Sequence, residues 1–253
     1  MKPVYDPSLA LEHALRDMFL LRSWTFVSFV HVDAVVSTLA PGSRVMSIGG
    51  GKTLSCDRML ALRYPWISFT GTDLLKPRLA AEATPPNLTV QSLDICAQRG
   101  DESCDLVYSV ECFEHIEDDD LAVRHALSFV RKGGSFLVIV PIATVEDQHD
   151  PERVERDRSL HGHQRPGYHP ERLTQLVEPG RFRTVELENC YWRTTMNLRN
   201  YRDEVLPQLT PTDCRHLEAL ARLDLRPGEL VPDRSKAVGL KLLATGKGQA
   251  AAR

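Results

Sequence analysis

The alternation of short apolar runs with helix-like segments between residues 44 and 141 is what most constrains the fold. Five of the runs are strand-like, at 44–48, 66–73, 87–94, 104–110 and 135–141. Helices are predicted between them at 53–63, 76–83 and 118–131, and Gly133-Gly134 is predicted to close the last helix and start the next strand. Strands that are apolar throughout and separated by helices are typical of a parallel sheet covered on both faces. The pattern therefore predicts an α/β fold of right-handed βαβ units.

The two ends of the chain follow a different pattern. Residues 7–39 are predicted to be helical, and residues 142–169 form a long, charged, histidine-rich connection of the kind that serves as a lid or binding loop. A helix at 170–178 and strands at 182–192 and 236–246 follow, with helices near 197–207 and 211–223 in the insertion between the two strands.

Composition excludes several classes of protein. With 253 residues, 42% apolar and 26% charged, the chain predicts one large domain with an insertion. A net charge of −3 argues against an electrostatic grip on nucleic acid. The six cysteines contain no C-x-x-C pair, which indicates reduced thiols of a cytoplasmic protein. The apolar stretch 18–39 is interrupted by Arg22, His31 and Asp33, so a packed helix is favoured over a membrane span.

The segment SIGGGKT, residues 47–53, lies where the first strand turns into a helix. A Walker phosphate loop would need glycine at Met46, and the dinucleotide fingerprint would need it at Leu54. Both patterns therefore fail. What remains is a strand, a glycine turn and a helix, which allow a ligand to approach the backbone closely, although such a turn alone is also compatible with a simple tight turn.

Four consecutive predicted strands end on residues suited to one ligand. These residues are Gly49–Gly51, Asp73, Asp94 and Glu111. Because ligands of open α/β sheets bind at the carboxyl ends of the strands, the residues are expected to share a pocket, although Asp73 and Asp94 also suit helix caps. Three acids would repel a phosphate-rich cofactor but suit a ribose, an adenine amine and positive charge. S-adenosylmethionine carries all three.

The motifs VMSIGGGKT, FTGTDLL, SLDI, CDLVYSVECFEHIEDDD and RKGGSFLVIVP, in this order, resemble those of class I S-adenosylmethionine-dependent methyltransferases. The resemblance covers about residues 43–190 and the last strand, and is closest to the group with E-x-x-E-H after strand four. It implies a Rossmann-like, seven-stranded, mostly parallel sheet with an antiparallel last strand and helices on both faces. The implied units are 1–42, an N-terminal helical cap; 43–192, the cofactor-binding domain; 193–234, a helical insertion over the acceptor site; and 235–253, the last strand and tail.

The resemblance also implies roles for individual residues. The family's cofactor is S-adenosyl-L-methionine, and the residues expected to bind it are Gly49, Gly50 and Gly51 at the methionine and ribose, Asp73 with Leu74 at the ribose hydroxyls, Asp94 with Ile95 at the adenine, and Glu111 nearby. The chain departs from the family at Ser47, where an acid is usual, and at Thr53, where a glycine is usual. Ser47 is expected to weaken the hold on the methionine ammonium or on the loop.

The segment VECFEHIEDDD places Glu111, Glu114 and His115 on one face of any helical turn. With His163 from the later histidine-rich connection, they form a candidate site for a divalent metal ion, and the small-RNA 2′-O-methyltransferases look similar here. The competing interpretation is that His115 only shapes the pocket and that His163 is solvated. His115 and His163, with Glu114, are also the candidate bases for a hydroxyl acceptor, because imidazole titrates near neutrality.

Three functions are compatible with these motifs. The leading prediction is a cytoplasmic methyltransferase, monomeric or homodimeric, that acts on a small molecule, for example in secondary metabolism. Its acceptor is expected between the N-terminal helix, the 142–169 connection and the 193–234 insertion. The helix would contribute Phe19, Trp24, Phe26 and Phe29, although core packing is the more common role for a stripe such as Phe19, Phe26 and Phe29. The second is a metal-dependent RNA ribose 2′-O-methyltransferase. It is disfavoured because residues 148–183 contain seven arginines and six acidic residues, with a seventh acid at Asp147 just outside, so they form no basic stripe for RNA. The third is a regulatory protein that binds the cofactor without catalysis.

Overall fold

The computed structural model describes residues 23–177, 180–192, 222–225 and 237–246, and seven strands within them form a single sheet. The strands are β1 (Arg44–Ile48), β2 (Ser68–Asp73), β3 (Leu88–Ser92), β4 (Cys104–Val110), β5 (Val130–Pro141), β6 (Phe182–Trp192) and β7 (Ala237–Gly246). The helices are α1 (Ser23–Val36), α2 (Ser55–Arg63), α3 (Asp119–Phe129), α4 (Val145–His149), α5 (Pro151–His161) and α6 (Pro170–Gln175). Short 3-10 turns occupy Ala81–Ala83, Phe113–His115 and Arg222–Leu225.

The strand order is β3-β2-β1-β4-β5-β7-β6. The pairs among β1 to β5 are parallel, whereas β7 pairs antiparallel with both β5 and β6. Strand β6 therefore runs in the same direction as β1 to β5, and β7 alone is reversed. The predicted Rossmann-like, mostly parallel sheet with an antiparallel last strand is confirmed.

Side chains of successive strand residues enter two separate cores, one on each face of the sheet. On β5, Leu137 and Ile139 join a core that includes residues of α1 and α2, whereas Phe136 and Val138 join a core that includes residues of α3 and α6. The period of two is that of a pleated strand buried on both faces. Phe29 of α1 is fully buried in the first core, so its side chain is part of the packing.

Two predicted details are wrong. Residues 76–83 form no α-helix, and only Ala81–Ala83 makes a 3-10 turn. The Arg78 amide donates to the carbonyl of Lys52, which ties this segment to the glycine loop. Gly133 and Gly134 lie inside β5 and do not close α3, which ends at Phe129. The register between β4 and β5 shifts there, and a Cβ on Gly134 would lie 2.9 Å from the carbonyl oxygens of the neighbouring strand, so glycine is needed for the strand itself.

The 142–169 connection contains α4 and α5 and is not a structureless loop. Thr144 and Asp147 form a reciprocal capping box at the start of α4. Asp150 caps α5, Pro151 occupies its first turn, and Gly162 ends it with a left-handed backbone. The helices predicted near 197–207 and 211–223 lie outside the described residues, apart from the Arg222–Leu225 turn. No helix in the described ranges is long and apolar enough to span a bilayer.

Candidate functional site

The strand order places the four predicted strand ends next to one another. Strands β3, β2, β1 and β4 are neighbours and parallel, so their carboxyl ends lie at one edge of the sheet. Asp73 ends β2, the glycine triplet follows β1, Glu111 follows β4, and Asp94 lies two residues beyond β3. The fold therefore brings the sequence-predicted residues to a common edge, where ligands of this architecture bind.

The glycine loop is shaped by positive backbone angles and by close neighbours. Gly49 has φ 70°, and a Cβ there would collide with the Sγ of Cys112. Gly51 has φ 77° with open space where its side chain would be, and its amide donates to the Oδ2 of Asp73 at 2.9 Å. The loop between β1 and α2 thus presents bare backbone to an open space beside the Asp73 carboxylate. Such a surface admits a ligand at close range.

The residues predicted around the ribose and adenine differ in exposure. Leu74 is 64% exposed beside Asp73, so its side chain is accessible at the edge of the pocket. Asp94 is exposed and its Oδ1 accepts a hydrogen bond from the Cys96 amide at 2.9 Å. The Ile95 side chain is 6% exposed and packs in the core around α3. Only its backbone and the small exposed part of its side chain therefore remain for a contact with adenine.

Two carboxyl groups with buried oxygen atoms lie at the end of β4. Glu114 is fully buried, and neither of its oxygens accepts a hydrogen bond from a described residue. Glu111 has a left-handed backbone (φ 49°), and its Oε1 is likewise buried without a donor among those residues. Burial raises the pKa of both carboxyls, and the neighbouring Glu114 raises the pKa of Glu111 further. Buried polar groups left without partners in a native fold mark a site for a ligand, a metal ion or a proton.

Glu114, His115 and His163 form one cluster, whose ligand atoms lie within 4.8 Å of one another. The rings of His115 and His163 meet edge to face with centroids 4.6 Å apart, and His115 Nε2 lies 3.8 Å from Glu114 Oε1. The Nδ1 of His115 lies 3.2 Å from the Gly162 carbonyl, which can only accept, so Nδ1 carries the proton. Burial lowers the pKa of His163 to about 4, with a contribution from His115, and the ring is neutral near pH 7.

Arg165 docks the loop after α5 onto the Glu114 segment. Its guanidinium donates to the carbonyls of Phe113 (2.9 Å), Ile116 (2.7 Å) and Glu117 (2.8 Å). The Gln164 amide donates to the carbonyl of Glu114 at 2.8 Å. These bonds bring His163 beside a carboxylate that is 49 residues earlier in the chain. Arg165 is not among the residues predicted from the sequence, although its place two residues after a candidate histidine was a usable signal.

Comparison with known proteins identifies the family. Residues 24–187 match a family profile described as a methyltransferase domain, which is more than half of the chain. The chain belongs to the methyltransferase-domain family. The predicted membership among class I S-adenosylmethionine-dependent methyltransferases, and with it S-adenosylmethionine as the cofactor, is confirmed.

Similar proteins span a range of acceptors. A 2-methyl-6-phytyl-1,4-hydroquinone methyltransferase of Synechocystis sp. is 32% identical over 120 residues, which are 44% of this chain and 37% of that protein. The chain therefore spans little more than a third of the length of this curated relative. The phosphoethanolamine N-methyltransferase 2 of Haemonchus contortus, solved with S-adenosyl-L-methionine, is similar over 87% of this chain and 52% of its own, with TM-score 0.59 and 17% identity. A methyltransferase from Archaeoglobus fulgidus is similar over 87% of this chain and 94% of its own, with TM-score 0.53 and 15% identity.

A further polar group that was not predicted from the sequence lies near the carboxyls of Glu111 and Glu114. Tyr191 of β6 is fully buried, with φ 57°, and its hydroxyl shares a hydrogen bond of 2.5 Å with Ser28 of α1. Burial raises the pKa of Tyr191, and the Glu111 carboxylate raises it further. Tyr191 lies in the predicted strand 182–192, and its special backbone angle could not be inferred from the strand pattern.

Proposed function

We propose that the chain transfers the methyl group of S-adenosylmethionine to a small-molecule acceptor held beside Glu111 and Glu114. The observation that carries this proposal is the pair of buried carboxyls next to the glycine loop, at the edge where the cofactor binds in this family. The hydroquinone substrate in the name of the Synechocystis relative supports a small acceptor of the same kind. A location in the cytoplasm, a role in secondary metabolism and a monomeric or homodimeric state stay predictions.

The cofactor residues are proposed in the roles that the family implies. Gly49, Gly50 and Gly51 line the methionine and ribose, and Asp73 accepts hydrogen bonds from the ribose hydroxyls with Leu74 at its side. The pair Asp94 and Ile95 flanks the adenine, and Glu111 faces the sulfonium side. The Asp73 oxygen that receives the Gly51 amide supports this arrangement, because it joins the loop and the ribose site directly. The helical cap 1–42 and insertion 193–234 are proposed to cover the acceptor.

Methyl transfer is an in-line displacement: the acceptor forms a bond to the methyl carbon as the carbon–sulfonium bond breaks. Alignment of the two reactants supplies most of the acceleration, because effective molarities for well-oriented reactants reach about 10⁵ M or more. A hydroxyl acceptor also gives up a proton, and general bases contribute about 10²- to 10⁴-fold. His163 and His115 are proposed to take that proton, since His163 is neutral near pH 7 and both rings adjoin Glu114.

The same cluster fits a divalent metal ion. Glu114 offers a carboxylate oxygen, His163 a neutral ring, and His115 a ring whose Nδ1–H is held by the Gly162 carbonyl, which is the usual second partner of a metal-binding histidine. A bound ion would act as a Lewis acid that favours the ionised form of an acceptor hydroxyl. Glu111 is not among the side chains whose ligand atoms come this close, and its part in a metal site stays a prediction.

Direct titration tests the metal site. Chelator-treated protein is expected to bind Zn²⁺ or Mn²⁺ in calorimetry, and Glu114→Gln, His115→Ala and His163→Ala are each expected to weaken the affinity by about 10- to 100-fold. His149→Ala is the matched control, because His149 is an exposed histidine of α4 outside the cluster. Equal metal affinity in the three variants and the wild type would refute the site.

The cluster of Glu114, His115 and His163 also favours a second candidate function, that of a metal-dependent RNA ribose 2′-O-methyltransferase. A regulatory protein that binds the cofactor without catalysis is the third candidate. One assay separates the three. Protein is incubated with methyl-labelled S-adenosylmethionine and either hydroquinones, amines and phenols, or RNA, and the release of S-adenosylhomocysteine is followed. Transfer to a small molecule, abolished in Asp73→Ala but retained in the exposed control Asp101→Asn, is the expected result. Transfer to RNA alone, or cofactor binding with no transfer to any acceptor, would replace the proposal by the second or third candidate.

A further inference from the structure

A carboxylate that the cofactor motif does not include lies directly beneath the glycine loop. Asp57, on the first turn of α2, is 1% exposed. Its Oδ1 accepts a hydrogen bond from the hydroxyl of Tyr108 at 2.8 Å. Its Oδ2 is buried and accepts no hydrogen bond from a described residue. An ionisable group in this state needs a partner or a function.

The unpartnered oxygen points at the loop. A Cβ built on Gly50 would lie 2.9 Å from Asp57 Oδ2 and 3.0 Å from Ser47 Oγ, so both side chains meet at the back of this glycine. The Gly50 amide donates to the Thr72 carbonyl at 2.8 Å, which holds the loop in that place. The Asp57 carboxylate is thus separated from the cofactor side of the loop by one glycine without a side chain.

Among the residues that the structure describes, no cation compensates this charge. None of the Lys, Arg or His side chains in the described ranges forms an ion pair with Asp57, and its hydrogen-bond donor, Tyr108, is a neutral hydroxyl. Ser47 stands on β1, where the chain has no acid of its own. A buried negative charge next to a loop acts over several ångströms, because the low local dielectric screens it weakly.

We propose that Asp57 is a positioning residue that supplies the negative potential of the glycine loop, and that it favours the positively charged methionyl part of S-adenosylmethionine. The Tyr108 hydroxyl holds its carboxylate beside Gly50, and the cofactor's charge compensates it across the loop. This role depends on the cofactor and not on the acceptor, so it can fail or hold independently of the proposed small-molecule transfer.

Three ligands of graded charge test the role. Of the two cationic groups of S-adenosylmethionine, the sulfonium and the ammonium, S-adenosylhomocysteine keeps only the ammonium, and 5′-methylthioadenosine has neither. The first two ligands also share the α-carboxylate. Calorimetry near pH 8 is expected to show that Asp57→Asn, which keeps the side-chain shape, weakens S-adenosylmethionine about tenfold, S-adenosylhomocysteine about threefold and methylthioadenosine less than about twofold. Asp101→Asn removes an exposed charge elsewhere and is expected to leave all three affinities unchanged.

A purely structural role predicts a different pattern. If Asp57 only shapes the loop, Asp57→Asn weakens the three ligands equally, and that result would overturn the proposal. Unchanged affinities would overturn it too. Asp57→Ser is measured alongside, and loss of all binding together with a lower unfolding temperature in both variants would also assign Asp57 to structure alone.

Discussion

At the scale of single residues, the buried carboxyl of Glu114 lowers the stability of the folded protein. Its carboxyl is fully buried, no described residue donates a hydrogen bond to it, and burial raises its pKa. The folded protein therefore holds a proton that the unfolded chain releases above its ordinary pKa of 4.5. By linkage, stability is lost as the pH rises above this value and until it passes the raised pKa. Residues kept at such a cost are typical of functional sites.

Glu114→Gln is expected to stabilise the protein in alkaline solution, since the amide keeps the shape and has no charge to desolvate. The expected gain is about 1–3 kcal/mol near pH 8 and shrinks toward zero near pH 5, and each kcal/mol raises the unfolding temperature by about 2–4 °C at this size. Scanning calorimetry of chelator-treated protein at both pH values measures it. Glu117→Gln, at an exposed residue, is the control and is expected to show no pH-dependent difference from the wild type. A Glu114→Gln variant less stable than the wild type at both pH values would contradict the prediction.

At the scale of elements, the candidate site depends on how one loop docks. The loop after α5 is held by the Arg165 fork, which reaches three carbonyls of the segment 113–117 and lies 3.6 Å from Asp119. A lysine has the same charge but cannot reproduce a planar fork of donors. The position of His163 beside Glu114 therefore follows from the geometry of a single guanidinium.

Arg165→Lys is expected to lower stability by about 1–3 kcal/mol and to weaken metal binding at the Glu114 cluster, while S-adenosylhomocysteine affinity stays within about twofold. The reason is that the lost bonds release His163 but leave the glycine loop untouched. Denaturant unfolding and the two titrations measure it. Arg181→Lys is the matched control, because Arg181 also donates to two carbonyls, those of Leu127 and Val130, away from this cluster. Equal effects of both variants on metal affinity would contradict the role of the loop.

Local patterns predicted the sheet well because apolar runs of strand length can bury both faces only in a covered sheet. The strand β1 has the predicted bounds 44–48, and α3 begins at Asp119, one residue after the predicted start. Long-range contacts were not predictable in the same way. The docking of Arg165 joins residues about 50 positions apart, and the left-handed backbone of Tyr191 depends on angles that residue type does not specify. The caps at Thr144 and Asp150 were local signals and were missed.

At the scale of the whole molecule, six of the seven arginines in the 148–183 region pair with carboxylates of the same chain. Arg153 bonds to Asp157 at 2.9 Å, and Arg172 bonds to Asp119 at 2.8 Å and also pairs with Asp120. The net charge of the chain is −3. Cations engaged by internal acids release few counterions from a phosphate backbone, so they add little affinity for RNA.

Short single-stranded RNA is accordingly expected to bind no more tightly than about 10⁻⁴ M in fluorescence anisotropy at about 50 mM salt, the weak end of non-specific binding. S-adenosylhomocysteine at about 100 times its Kd is expected to add about 2.7 kcal/mol to the free energy of unfolding, whereas RNA adds nothing measurable. Micromolar RNA affinity that falls steeply with added salt would contradict this expectation and favour the ribose methyltransferase. Asp120→Asn removes one of the two carboxylates that pair with Arg172. Because ion pairs within the chain hold the arginines, this variant is expected to raise the RNA affinity slightly in the same assay.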